Sequence, residues 1–192
     1  MWPGREREWA VERTKRADTE RTEQAILRAA ERVLADDPAA SMERIAAASG
    51  VARTTVHRRF ATREALLDAL SVWAARQFGA AVDAVPDAAP PLVALHQVTA
   101  NVLRVKLGWG FAMSRPTTNT EVADVHAHVL DRCIGLFRRA RDTGVLRADV
   151  DPDWARRVYY ALIHETADRR DDTDVDALAA RLVDTLLRGV GP

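Results

Sequence analysis

Residues 41–63, SMERIAAASGVARTTVHRRFATR, constrain the chain more than any other stretch. They read as two short helices joined by a tight turn. Ser41 is placed to cap the first helix, and Glu43 lies in its first turn, where the helix dipole favours negative charge. Ile45 and Ala46 give that helix an apolar side. Gly50 stands where the helix must stop and the chain must reverse, a position that favours a residue free to take positive φ. A second helix is expected over residues 52–59, with Val56 facing the first. A small residue at Ala46, a glycine at Gly50 and an apolar residue at Val56 let two helices cross closely, which is the packing demand of a helix-turn-helix.

The outer face of the second helix carries Arg53, Thr54, Thr55, His57, Arg58 and Arg59, and no acid. Arginine binds phosphate or pairs in bidentate fashion with guanine, and threonine can bond a base edge or touch a thymine methyl. A solvated basic helix face is the alternative reading of the same residues. With Ser41, Thr62 and Arg63 at the neighbouring helix starts, they make up the candidate DNA-binding set.

Residues 21–70 resemble the DNA-binding domain of the TetR family of transcriptional regulators. The matching residues are Ala25-Ile26 and Ala29-Ala30, then Ile45-Ala46, Gly50-Val51, Val56-His57-Arg58-Arg59-Phe60 and Thr62-Arg63-Glu64-Ala65-Leu66-Leu67. The likeness is specific over this stretch and loose after it. His57 stands where the family usually has Tyr, a frequent phosphate contact. Arg63 replaces its usual Lys, and Asp36-Asp37-Pro38 its usual loop Gly. The resemblance implies a homodimer paired through its last two helices as a four-helix bundle, and a small-molecule pocket in the larger domain.

Length and charge set outer bounds. The 192 residues allow one large or two small domains with a sizeable core. Lys and Arg number 28 against 28 Asp and Glu, so no global basic field marks a DNA binder. Division at residue 64 gives +2 before and −2 after, and the useful signal is local: residues 51–63 hold four Arg and no acid. Cys133 is the single cysteine, which excludes an internal disulfide and fits a reducing compartment. No apolar run reaches the roughly 18 residues of a membrane span. The charged N-terminal residues are unlike a secretory signal, so a cytoplasmic location is expected, with no membrane partner.

The expected architecture is all-α. Residues 1–18, with Trp2 and Trp9 but no stripe to bury both, read as a flexible arm whose Arg13, Lys15 and Arg16 could reach phosphate. Residues 19–66 form the helix-turn-helix domain, led by a helix over 19–35 that Pro38 ends. Residues 67–192 form an effector-binding and dimerisation domain, joined to the first by a helix that starts at Thr62 and runs to about Phe78. Further helices are expected over 91–106, 119–143, 151–167 and 173–188, with an irregular aromatic stretch over 107–116. The last helix shows two apolar seams, Val175-Leu178-Leu182-Leu186 and Ala179-Val183-Leu187-Val190. A surface helix needs only one stripe. One seam is therefore expected to pack inward and the other to meet a second chain, or else the helix is sunk in its own core. Tyr160, Ile163, Ala179, Val183 and Leu187 are the candidate dimer residues.

No catalytic residue, metal ligand or cofactor is expected. Cys133 lies on an apolar helical stripe, more a packing position than a nucleophile. His126 and His128 are two apart and diverge by about 200° on a helix, so they cannot share a metal. His96 and His126 fall on apolar stripes of two helices, each readable as an ordinary core histidine. Taken with Trp73, Asn101, Trp109, Phe111, Met113 and His164, they suggest an apolar effector cavity with a few polar anchors. The function read from the sequence is a double-stranded-DNA-binding regulator, a repressor released by a small, mostly apolar effector. The alternative is a dimeric DNA binder with no effector, its cavity filled by its own Trp and Phe side chains.

Overall fold

A computed structural model describes residues 4–168 and 174–191, with side chains from residue 17 onward except that of Val190. Among the described residues it is all helical: α1 (Gly4–Asp36), α2 (Met42–Ser49), α3 (Arg53–Arg59), α4 (Arg63–Asp83), α5 (Pro91–Gly108), α6 (Gly110–Ser114), α7 (Thr120–Asp142), α8 (Pro152–Asp168) and α9 (Val175–Val190). The chain divides into two compact units, Met1–Leu70 and Ser71–Pro192.

In the first unit α1 packs on α2, and α2 on α3. The core is Ile26, Leu27, Ala30, Leu34, Ile45, Val56, Phe60 and Leu66, all buried. Each large aliphatic buried here contributes on the order of 1.5–3 kcal/mol. The helix ends follow their side chains. The Ser41 hydroxyl accepts the Arg44 amide at 3.3 Å, and Gly50 takes φ 69°, the left-handed turn that lets α3 leave α2 at once. The backbone of residues 4–18, expected as an arm outside the helical domain, is continuous with α1. That segment is rich in Glu, Arg and Ala, which sustain a helix without an apolar stripe. The side chains of Trp2, Trp9, Arg13, Lys15 and Arg16 lie outside the described residues.

In the second unit α5 runs through the middle, packed on α7, α8 and α9. Leu95, Leu103, Phe137, Tyr159, Val183 and Leu186 are its most deeply buried side chains. α4 does not end at Phe78 but passes through Gly79, where Val125 of α7 comes close; a Cβ there would stand 3.1 Å from Val125 Cγ1. The stretch expected to be irregular is instead the end of α5 followed by the short α6. Leu92, in the first turn of α5, is exposed. Asn119, Asp151 and Asp174 cap α7, α8 and α9 by accepting amide hydrogen bonds. Residues of both apolar seams of α9 pack inward: Leu178, Leu182 and Leu186 are buried, and so are Ala179 and Val183, with Leu187 half-buried.

The core of this unit contains one polar pair. Thr99 Oγ1 donates to the Leu95 carbonyl at 2.6 Å, which uses its only proton, so the Tyr159 hydroxyl donates to Thr99 Oγ1 at 2.9 Å. The two substitutions that break this pair are not equivalent. Tyr159→Phe leaves Thr99 still bonded, whereas Thr99→Val leaves a buried phenol without an acceptor. Urea unfolding should show a loss of about 0.5–1.5 kcal/mol for Tyr159→Phe and about 1–3 kcal/mol for Thr99→Val. Equal losses would mean that the bond is not directed as described.

Candidate nucleic-acid interface and ligand cavity

Val56 is buried against the first unit's core, and this fixes how α3 presents its other side chains. On a helix of 3.6 residues per turn, the direction opposite Val56 is shared by Thr54 and Arg58. Both are exposed, and Arg58 is unpaired among the described residues. Arg53 and His57 flank them on the side of α2. Thr55, half-buried, and Arg59, exposed, flank them on the side of α1.

The flanking arginines are already engaged. Arg53 makes an ion pair with Glu43 of α2 at 2.8 Å, and His57 Nε2 lies 3.8 Å from the same carboxylate. A backbone hydrogen bond, and then Arg53, hold the Glu43 carboxyl below the usual range. Arg59 pairs with Glu23 of α1. Sequence reasoning counted no acid on α3 and missed these partners, because they come from neighbouring helices. Exposed pairs of this kind are weak, since water screens them, so a DNA phosphate can displace either carboxylate.

Arg63 departs from its expected role. Its guanidinium donates to the carbonyls of Ala40 and, at 2.7 Å, Pro38. It therefore ties the loop before α2 to the start of α4, instead of standing free for phosphate. Thr62 Oγ1 accepts the Ala65 amide at 3.1 Å as a helix cap, and Ser41, also exposed, caps α2.

The second unit holds a cavity of about 410 Å³ among α4, α5, α7 and α8. Of the residues expected to line it, Met113, His126 and His164 do so. His126 is not on a buried stripe; it is exposed at the rim, edge-on to Phe78 with ring centroids 6.2 Å apart. The others lie elsewhere. Trp73 and Trp109 face each other at 6.4 Å, Asn101 donates to the Ala81 carbonyl at 3.1 Å, and Phe111 sits under Arg115. His96 is roughly 120° round α5 from the Val98-Val102-Lys106 line that forms the wall.

Several lining residues escaped the sequence reading: Phe78, Lys106, Cys133, Arg156 and Tyr159. Lys106 stands at the i+8 end of the apolar line from Val98 through Val102, where it reads as a solvated helix terminus. Tyr160 and Ile163, expected at a dimer interface, also line the cavity. Ala179 and Val183 are buried in their own protomer, and Leu187 packs against the same core. The physical reason is that α9 fills the groove between α5 and α8, which leaves neither apolar seam outside.

Residues 26–70 match the family model described as bacterial regulatory proteins, tetR family. The chain is 37% identical over 147 residues to the HTH-type transcriptional repressor LfrR of Mycolicibacterium smegmatis, covering 75% of this chain and 76% of that protein. The crystal structure of LfrR in complex with proflavine superposes with a TM-score of 0.73 at 30% identity, over 91% of this chain and 99% of that one. PfmR of Thermus thermophilus, at 21% identity and a TM-score of 0.73 over 87% and 99% of the two chains, shares the fold.

Two substitutions separate phosphate contact from scaffolding. Glu43→Gln should release Arg53 and tighten DNA binding several-fold at low salt, with a slope of log affinity against log salt steeper by about one. Arg63→Ala should lower stability by about 1–3 kcal/mol and leave that slope unchanged. Mobility shifts over a salt series read both; a slope shallower by one in Arg63→Ala would restore Arg63 as a phosphate contact.

Proposed function

The chain belongs to the TetR family of bacterial regulatory proteins, and we propose that it is a homodimeric transcriptional repressor that leaves its operator when a small, mostly apolar effector fills the cavity of its second unit. The observation that carries the effector is the cavity itself. The chain's own Trp73, Trp109 and Phe111 do not line it, so about 410 Å³ is left open, within the range of small-molecule sites. A regulator without an effector has no use for that space. LfrR, the relative solved with proflavine, supports both the repressor and the ligand reading.

In this reading Thr54 and Arg58 face base edges, with Arg53, Thr55, His57 and Arg59 toward the backbone and Ser41 and Thr62 at helix starts beside it. Two recognition helices one DNA turn apart, about 34–36 Å, read the two half-sites. The effector shifts the balance between a DNA-competent and a DNA-incompetent state by its differential affinity for them. Phe78 and Val82 of the cavity wall belong to α4, whose first residue is Arg63, so a ligand there bears on the helix that closes the DNA-binding unit. The protein acts in the cytoplasm, where operator DNA is.

The dimer face must lie on what α8 and α9 leave exposed. Trp154, 57% exposed, and Ala161 share one side of α8, seven residues apart. On α9, Ala177, Ala180 and Asp184 lie opposite the buried stripe. Small residues there let two helices approach closely, and Trp154 supplies apolar area.

Selection of bound DNA from a random pool should return a two-fold symmetric site. On that site Arg58→Ala should cost about 1–3 kcal/mol and relax one base position per half-site. An unselective pool sinks the reading. In sedimentation the wild type should run as a dimer and Ala180→Arg as a folded monomer; a dimeric Ala180→Arg removes this face from consideration.

A further inference from the structure

We propose that the effector is an apolar carboxylic acid, bound as its carboxylate with the charged end at Lys106 and the apolar body against α4, α7 and α8. This rests on reading the cavity as an effector site. The groups around the cavity are of one sign. Among the described residues its lining includes Lys106, Arg156, His126 and His164, and no Asp or Glu. The apolar remainder, with Phe78, Val102, Val129 and Ile163 among it, gives a hydrocarbon body its place.

Lys106 is the centre of this pattern. It is half-buried, and among the described residues it makes no ion pair with a carboxylate. Its Nζ lies 3.1 Å from His164 Nδ1, so the ammonium donates and the imidazole accepts. A ring that accepts at Nδ1 is neutral and carries its proton on Nε2. Burial lowers the tendency of Lys106 to hold its proton, and burial and Lys106 together hold His164 in the neutral form. Asp168 acts on both from outside the cavity, more weakly than burial does. An incoming carboxylate would supply the direct ion pair that Lys106 does not make with any described residue.

Two further groups favour an acceptor over a donor. Tyr160 lines the cavity, and its buried hydroxyl stands beside the Cys133 thiol and the Arg156 guanidinium. Arg156 stacks 4.9 Å from the Tyr160 ring centroid and is paired with Asp153 at 2.8 Å, which holds its guanidinium in place beside the cavity. A cationic ligand would meet the Lys106 ammonium with no carboxylate among the described lining residues to offset it. An alcohol would satisfy the hydroxyl but leave the ammonium uncompensated in a partly dry site.

The test uses three ligands of one body: decanoate, decanol and decylamine, each titrated by calorimetry into the full chain at neutral pH. Decanoate should bind about 10–100-fold more tightly than decanol, the range expected for a charged hydrogen bond, and decylamine more weakly still. Lys106→Met should bring decanoate down to the decanol level and leave decanol unchanged, while Lys106→Arg should keep the preference. Decanol or decylamine binding as tightly as decanoate overturns the carboxylate and leaves the effector reading standing. So does a preference unchanged in Lys106→Met. No binding by any of the three overturns the effector reading and this inference with it.

Discussion

The turn at Gly50 is the constraint on which the DNA-binding unit depends. Its φ of 69° is open to glycine at little cost and strained for a residue with a Cβ. That one conformation ends α2 and starts α3 after only Val51 and Ala52. The two helices are then close enough for Val56 to bury beside Ile45 and Ala46. Once Val56 is fixed, the helical period leaves no choice about the rest: Thr54 and Arg58 face outward, and Arg53 and Arg59 fall toward α2 and α1. The identity of the outward-facing side chains is thus a consequence of one backbone dihedral and one buried methyl-bearing residue.

Elements with a strong local signal were legible in the sequence. Gly50 and the helix starts expected at residues 119 and 151 each depend on a few neighbouring residues, and each stands in the fold where it was expected. Elements that depend on a neighbour were not. Residues 4–18 show no apolar periodicity, yet they continue a helix because their intrinsic propensity is high. Gly79 looks like a stop but is a contact with Val125, a residue far away in sequence. The two seams of α9 were a true observation with two readings. A helix wedged against both α5 and α8 has no free apolar face, and only the packing of those helices decides that.

The same limit explains the site. Helical spacing gives the face a residue shares, not what that face looks at. His126 and His96 both sit beside apolar stripes; one reaches the cavity rim and the other turns away from the wall. Tyr160 and Ile163 were recognised as apolar positions on α8, but the surface they cover belongs to the protein's own cavity. Lys106 is instructive in the other direction. A lysine at the end of a line of valines reads as a solvated helix terminus, and only the fold shows that the line is a wall.

A chain with no net charge can still set two opposite electrostatic problems. On α3 the flanking arginines rest on Glu43 and Glu23, so the unbound surface is close to neutral and its cations are held in place. DNA then exchanges one partner for another, and the gain in affinity is smaller than the count of arginines implies, while selectivity against weaker anions rises. Among the described residues no acid lines the cavity, and Lys106 is half-buried without a directly paired carboxylate. The cost of that burial lowers the stability of the empty state, and a ligand of the right sign recovers it. In the proposed effector mechanism this arrangement has a use: the empty form is tolerable enough to fold yet poor enough that a ligand changes the balance. Replacing Lys106 by an apolar residue would relieve the empty state and, by the same amount of energy, weaken the signal.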